Sequence, residues 1–367
     1  MHSATMRRFS SSRSHSPVSR ALVFALCMLS LGSCATVEAQ EYQLVPFEYE
    51  ERFGFFDEDS RDVVIAPKFD RVFHRDTAGV VYGRVETDRW QVIGRDGGTL
   101  LNLDYTSVAP RIAGLFSGSG PSPQDFSGPG RSHLINYDGD IVISDVSAHQ
   151  AWDGVVVIKY RDTGFTPINS EAEEIFDNQY FFAAEPFSEG YARVQYSARE
   201  YAFLDRDGNP VFETDELFIN GPVSEGLALA AESRERIGYI DITGEFQFVV
   251  PGMRTGSEFY NGRAAIEMFD GSFRIIDKTG ETVHQFGPEV TFIAVQGFQS
   301  GYLLITRGGP GAREYAFVDP EGKQLGPSFL EAESFHHGWA RVTTEDGPGV
   351  FSAEGELILS SELMEGR

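Results

Sequence analysis

The chain has 367 residues and carries 55 acidic against 30 basic side chains, a net charge of −25. A surface so acidic excludes nucleic acid and bare anionic lipid head groups as direct partners, because both would be repelled. Aromatics at 13%, with 30 phenylalanines and 39 glycines, exclude a disordered acidic tail, which lacks this much core material.

Residues 1–33 stand apart from the rest. "MRRFSSSRSHSPVSR" supplies Arg7, Arg8, Arg13 and Arg20 without an acid, and "ALVFALCMLSLG" follows as an apolar run too short for a comfortable membrane span. This is the pattern of a secretory signal peptide, with Met6 as an alternative start. The run closes on Leu31-Gly32-Ser33-Cys34, which resembles the lipobox of bacterial lipoproteins. That resemblance implies that Cys34 is diacylated on sulfur and becomes the mature N-terminus. Ala35 after it implies, by resemblance to enterobacterial lipoproteins, the outer membrane, facing periplasm or surface. Val37-Glu38-Ala39 offers a competing site for the ordinary peptidase, which would give a secreted or periplasmic protein. Removing residues 1–33 leaves 26 basic against 55 acidic residues, a net charge of −29. The only cysteines are Cys27 and Cys34, so the mature chain is expected to hold no disulfide, thiolate metal site or thiol chemistry. The expected organisation is a signal peptide over 1–33, a lipidated N-terminus and tether over 34–50, and a β-repeat domain over 51–367.

From there one phrase recurs: an apolar residue, two polar ones, a glycine, then an alternating apolar run. In chain order it reads "RDTAGVVYGRV", "RIAGLFSG", "AWDGVVVIKY", "PFSEGYARV", "GPVSEGLALA", "SEFYNGRAAI", "QGFQSGYLLI" and "ESFHHGWARV". Its glycines are Gly79, Gly114, Gly154, Gly190, Gly226, Gly262, Gly301 and Gly338, at intervals of 35, 40, 36, 36, 36, 39 and 37. A period this steady marks an array, solenoid or propeller. A second phrase keeps step: "YAFLDRDG", "GYIDITG", "RIIDKTG", "YAFVDPEG" and "GVFSAEG", ending at Gly208, Gly244, Gly280, Gly322 and Gly355. Asp suits the first position of a type I turn, where its carboxylate caps turn N–H groups, and Gly takes the left-handed conformation that follows. Each unit therefore reads as a meander of short antiparallel strands. The prediction is all-β, about eight three- to four-stranded units, with a propeller-like ring favoured over an open β-solenoid. A solenoid needs polar capping units, whereas the eroded copies here lie inside the array. No segment reads as a convincing amphipathic helix; "NSEAEEIFDNQ" (169–179) comes closest.

The pattern resembles the WG-repeat family of bacterial proteins. Gly238-Tyr239-Ile240-Asp241 with Gly244 matches its Trp-Gly-Tyr-Ile-Asp-x-x-Gly element, and Phe187-Ser188-Glu189-Gly190 with Ala192 and Val194 matches its Phe-x-x-Gly-x-Ala-x-Val element. "IAPKFDRV" (65–72) and Phe53-Gly54-Phe55-Phe56-Asp57 add two more, so the resemblance covers about residues 51–360. No copy keeps the Trp-Gly pair: its positions hold Phe53-Gly54, Tyr201-Ala202, Ile237-Gly238 and Tyr315-Ala316. The resemblance implies a β-rich scaffold without an assigned activity.

Few stretches point to chemistry. The loops at 114–133 and 306–314 are rich in Gly, Ser and Pro, but neither has the Gly-Lys-Ser/Thr of a phosphate loop. "DRDGNPVFETDE" places Asp205, Asp207, Asn209 and Glu216 at positions 1, 3, 5 and 12 of an EF-hand-like loop, a weak metal candidate. Pro210 stands where the turning glycine belongs, so the recurring hairpin turn is the simpler reading. No Gly-x-Ser-x-Gly elbow or HExxH is present, and His336-His337 falls where other copies have Ser-Glu or Gln-Ser, which reads as a solvated turn. The aromatics Trp152, Trp339, Tyr191, Tyr239, Tyr302 and Phe187 repeat beside the anchor glycines; core packing explains them more simply than sugar stacking. The expectation is a non-catalytic, cofactor-free scaffold that binds an envelope protein or glycan and meets the membrane through its lipid anchor. The alternative is a propeller-type lectin or hydrolase acting on envelope glycans.

Overall fold

The computed structural model describes residues 43–366 apart from 77, 87–88, 113, 121–131, 153–154, 161–163, 177–178, 295 and 310. Among the described residues are 33 strands and one short helix, Ser360–Glu365. Each strand pairs antiparallel with its chain neighbours, and the result is eight hydrogen-bonded sheets. Six of these have four strands, the first has three, and one has six. The six-stranded sheet is two units sharing a strand. Its twelve-residue strand Ile141–Trp152 pairs with Ser132–Asn136 through its first half and with Val155–Tyr160 through its second. Nine units result: unit 1 (44–69), unit 2 (71–103), unit 3 (107–146), unit 4 (146–175), unit 5 (183–214), unit 6 (218–249), unit 7 (253–285), unit 8 (290–329) and unit 9 (331–359).

The nine are held in a closed ring by nine apolar clusters, one at each interface. In unit 7, Ala264, Ile266 and Met268 pack against Leu229 and Tyr239 of unit 6. Between them, Ala265 points the other way, joining Ile275 against Leu303 and Ile305 of unit 8. Successive side chains leave a strand on opposite faces, so a sheet covered on both sides reads as a nearly continuous apolar run. "RAAIEM" and "FRIID" are such runs. The halves of the six-stranded sheet are packed on each other too, Leu115 and Leu134 against Val156, Ile158 and Ile168. The last cluster closes the circle: Val45, Phe47 and Phe56 of unit 1 meet Trp339, Val350 and Ile358 of unit 9, with Leu363 from the helix.

Glycines set the turns. At the tips after first strands, Glu189-Gly190 has φ of 53° and 88°, and Glu225-Gly226 has 52° and 80°. Two successive positive φ values are the type I′ geometry that matches strand twist, and they favour Gly at the second position. Gly114, Gly262, Gly301 and Gly338 share the left-handed conformation, with open space where a Cβ would stand, so conformation alone demands them. Gly79 is left-handed as well; Gly154 lies outside the described residues.

The tips also explain the recurring Ser-Glu-Gly. Ser188 Oγ donates to Val223 O of the next unit at 2.6 Å, and the Glu189 carboxylate accepts from the N–H groups of Glu225 (2.6 Å) and Gly226 (2.8 Å). One unit later Ser224 Oγ donates to Phe259 O at 2.7 Å, and Glu225 accepts from Gly262 N–H at 2.9 Å. Ser300 Oγ accepts from Gly338 N–H at 3.1 Å. Each of these three tips thus clasps the backbone of the tip ahead of it.

Three sequence expectations change. Residues 44–49, assigned to the tether, form the first strand of unit 1 and supply Leu44, Val45 and Phe47 to the core. Their turn, Glu50-Glu51, takes positive φ without glycine, so the usual signal is missing. No convincing helix is expected from sequence, yet a short one forms at Ser360–Glu365, while in the nearest candidate, 169–179, Asn169 Oδ1 caps a turn through the N–H groups of Glu171 and Glu173. The eight glycine anchors mark units 2–9, and unit 1, without one, is the ninth.

Candidate functional site

Within a unit the first and third strands run one way and the second and fourth the other. The tips after first strands and the Asp turns after third strands therefore share one end of the ring. At that end, beside the closure of unit 9 on unit 1, lies a cavity of about 590 Å³. Its lining comes from five units: Phe53 of unit 1, Arg71 to Arg75 of unit 2, Pro110 of unit 3, Gln296 of unit 8, and Glu333, His336, His337 and Arg341 of unit 9. Units 8, 9, 1, 2 and 3 are consecutive around the ring, and closure of unit 9 on unit 1 brings their side chains to one space.

Three histidines meet here. The rings of His74 and His336 stack with centroids 4.5 Å apart and planes at 28°. His337 Nε2 lies 3.1 Å from Arg75 O. His74 Nε2 is 3.9 Å from Glu333 Oε2. Burial lowers the pKa of His74, and the water displaced around His336, together with the neighbouring His74 ring, brings it down to about 4 although part of the ring remains open. His337 is lowered as well, by burial and then by the Arg75 charge. All three are therefore neutral at pH 7.

The arginines are placed unequally. Arg341 grips Glu333 with two bonds, Nε to Oε2 at 3.0 Å and Nη2 to Oε1 at 2.7 Å, and its guanidinium lies 4.9 Å from the Phe53 ring centre. Burial works against ionisation of Glu333, but contacts with His74 and Arg341 prevail and bring its carboxyl down to about 2. Arg75 binds Glu58 at 2.7 Å, and Glu58 also accepts from Trp339 Nε1 at 3.0 Å. Arg71 lies over Phe73, 5.5 Å from the ring centre, and has no carboxylate partner among the described residues. Three arginines thus face one carboxylate in the lining, and counting Glu58 one positive charge stays unbalanced.

A second cavity, about 410 Å³, lies among units 6, 7 and 8. Its walls are mostly backbone and small side chains such as Gly221, Gly256 and Ala265, with Glu258 and Glu267 as its charged residues. It gathers no set of groups comparable to the seam.

The residues singled out from sequence fall elsewhere. Asp205 Oδ1 accepts from the N–H groups of Asp207 (2.9 Å) and Asn209 (2.8 Å), and Oδ2 accepts from Asn209 Nδ2 at 3.2 Å. The EF-hand-like spacing of Asp205, Asp207, Asn209 and Glu216 is therefore a capped hairpin turn. Among the described residues no three His, Cys, Asp or Glu gather to hold an ion. Cys34 and residues 121–131 lie outside the described residues. Tyr239, Phe187 and Trp339 are buried, and Tyr191 and Tyr302 pack against apolar clusters, as the core reading holds. His336 and His337 are at an exposed turn as expected, yet they also wall the cavity. Nothing local marks His74, Arg71, Arg75, Glu333 and Arg341 beyond "DRVFHRD" (70–76), which sets two arginines and a histidine close together between two aspartates.

No protein-family model matches the chain, and no curated protein matches it in sequence. Among solved structures, the chain is similar to a eukaryotic initiation factor at 12% identity, covering 88% of this chain and 96% of that one with a TM-score of 0.59. It is also similar to BamB from Moraxella catarrhalis (10% identity, 76% of this chain and 94% of that one, TM-score 0.46). AztD from Citrobacter koseri, in its apo form, gives 12% identity, 77% and 92% coverage and a TM-score of 0.40. At such identities the first likeness is one of fold alone, and the other two are too remote in shape to inform this chain.

Proposed function

We propose that this protein is a non-catalytic binding scaffold of the cell envelope, held to the membrane by lipid on Cys34, with the seam cavity as its docking point for an envelope protein or glycan. The observation that carries the reading is where the polar side chains are committed. Those at the tips clasp the next unit and those of the Asp turns cap their own hairpins, whereas the seam presents a roomy cavity whose walls come from five units. A cysteine carrying two or more acyl chains gives durable attachment, since one chain alone binds only reversibly. Membership of the WG-repeat family is part of the proposal. A Cβ on Gly238 would stand 2.1 Å from Phe248 O, and one on Gly54 2.5 Å from Ile65 O, which supports a pattern that asks for glycine there.

The test is fractionation and capture from envelope extract. The full chain is expected in the membrane fraction, released by detergent but not by salt, while a Cys34→Ser chain moves to the soluble fraction. The soluble form should retain a partner without releasing product from a glycan array. A Cys34→Ser chain that stays with the membrane contradicts the anchor, and product release contradicts the scaffold.

A further inference from the structure

We infer that the seam cavity is an oxyanion site, taking a carboxylate or phosphate group of the docked ligand against Arg71, with His74 and His336 beside it. This rests on the reading of that cavity as the docking point and names the ligand chemistry. The first ground is the sign of the lining. In a chain with a surplus of 25 acids, this cavity gathers Arg71, Arg75 and Arg341 against one lining carboxylate, Glu333, beside three histidines that are neutral at pH 7. A cleft walled by one sign of charge concentrates ions of the other sign.

The second ground is availability. Glu333 occupies Arg341, and Glu58 occupies Arg75, so both are neutralised in place. Arg71 has only the face of Phe73, which leaves the edge of its guanidinium to donate. That planar fork matches a carboxylate or phosphate with two parallel hydrogen bonds. His74 Nε2 is buried without a hydrogen-bond partner. The third ground is size: about 590 Å³ is the volume of a small-molecule site rather than of a bare ion, so the group belongs to a larger ligand.

Binding should take up a proton. His336 faces His74 and Arg341 as repelling neighbours and Glu333 as an attracting one, with His337 adjacent; His74 faces the same Glu333, Arg341 and His337. An anion among them favours the charged imidazole, so affinity should rise as pH falls from 7.5 to 5.5.

The experiment is calorimetric titration of the full chain in detergent with inorganic phosphate and, separately, with citrate, in two buffers of different ionisation heat. Phosphate and citrate distinguish the two sources of the oxyanion, and glucose serves as the uncharged control. The expected result is that one of the anions binds with Kd below about 1 mM at pH 5.5, glucose does not, and Arg71→Gln weakens binding about tenfold or more. Arg71 is exposed, so Arg71→Gln should melt as the parent does, and His336→Gln should reduce the buffer-dependent heat. Absence of binding by both anions, or binding unchanged in Arg71→Gln, overturns the inference. Partner capture that survives Arg71→Gln while the anions fail would leave the scaffold standing; turnover of a glycan with anion binding intact would do the reverse.

Discussion

Replacing Trp339 with alanine should destabilise the protein by about 3–5 kcal/mol, the range for removing a large buried aromatic side chain. Trp339 is 3% exposed and stands where the ring closes. Its indole meets Phe56 of unit 1 edge-on with centroids 5.5 Å apart, and its Nε1 donates to Glu58 across the same seam. The guanidinium of Arg61 covers it at 4.7 Å. Phe317, inside the unit 8–9 interface against Phe329, Phe335 and Phe351, should give a loss of the same size when cut to alanine. In an open array the Trp339 contact with unit 1 would not exist, and truncation there would cost far less. Val283→Ala, at a site 38% exposed, is the control and should stay within about 0.5 kcal/mol. Urea unfolding of the three variants measures all of this.

Acidification should weaken the protein in two stages. His74, His336 and His337 have folded-state pKa values below the ordinary 6.5, chiefly because burial disfavours their charged forms. The unfolded chain then binds more protons between that value and the folded one, so stability is fully present above about 6.5 and is lost as pH falls toward about 4. For His336 the whole shift would be worth about 3 kcal/mol, but its ring is partly in water and screening reduces this to roughly 1 kcal/mol. The second stage involves carboxyls held low. Asp205 is lowered first by the Asn209 N–H, Asp277 first by the Thr279 hydroxyl, and Glu333 sits near 2. Their contribution is present above about 4 and falls away below it. Relief of repulsion among so many acids opposes both trends. The informative quantity is therefore a difference: His336→Gln should show a shallower fall in melting temperature between pH 6.5 and 4 than the parent. An unchanged slope would contradict the burial of this imidazole.

The repeat was legible because its signals are local. A hairpin tip needs positive φ within two residues, and an Asp turn is capped within four, so Gly190 and Asp241 declare themselves wherever they stand. Unit 1 was harder to read, since Glu50 and Glu51 adopt positive φ without the residue that advertises it. The merger of units 3 and 4 into one sheet depends on the long strand Ile141–Trp152, and nothing in its apolar alternation says where one unit stops. The cavity was the least legible part. His337 and Arg75 are 262 residues apart, and Trp339 and Glu58 are 281 apart, so no window of sequence holds them together. The doublet His336-His337 does look like a polar turn from its own neighbours. Only closure of the ring brings His74 against it.

A spin-label distance between unit 1 and unit 9 tests ring closure most directly. The turns carrying Arg61 and Glu356 touch through an ion pair of 2.7 Å, and the neighbouring Asp59 and Glu354 are exposed labelling positions. Labels on Asp59→Cys and Glu354→Cys, in a background with Cys27→Ser and Cys34→Ser, should report a mean separation below about 25 Å, contact distance plus two label tethers. Packed sheets lie about 10 Å apart, so nine units in an open row would place the same labels roughly 80 Å apart. A distribution centred beyond about 40 Å would mean that the chain does not close.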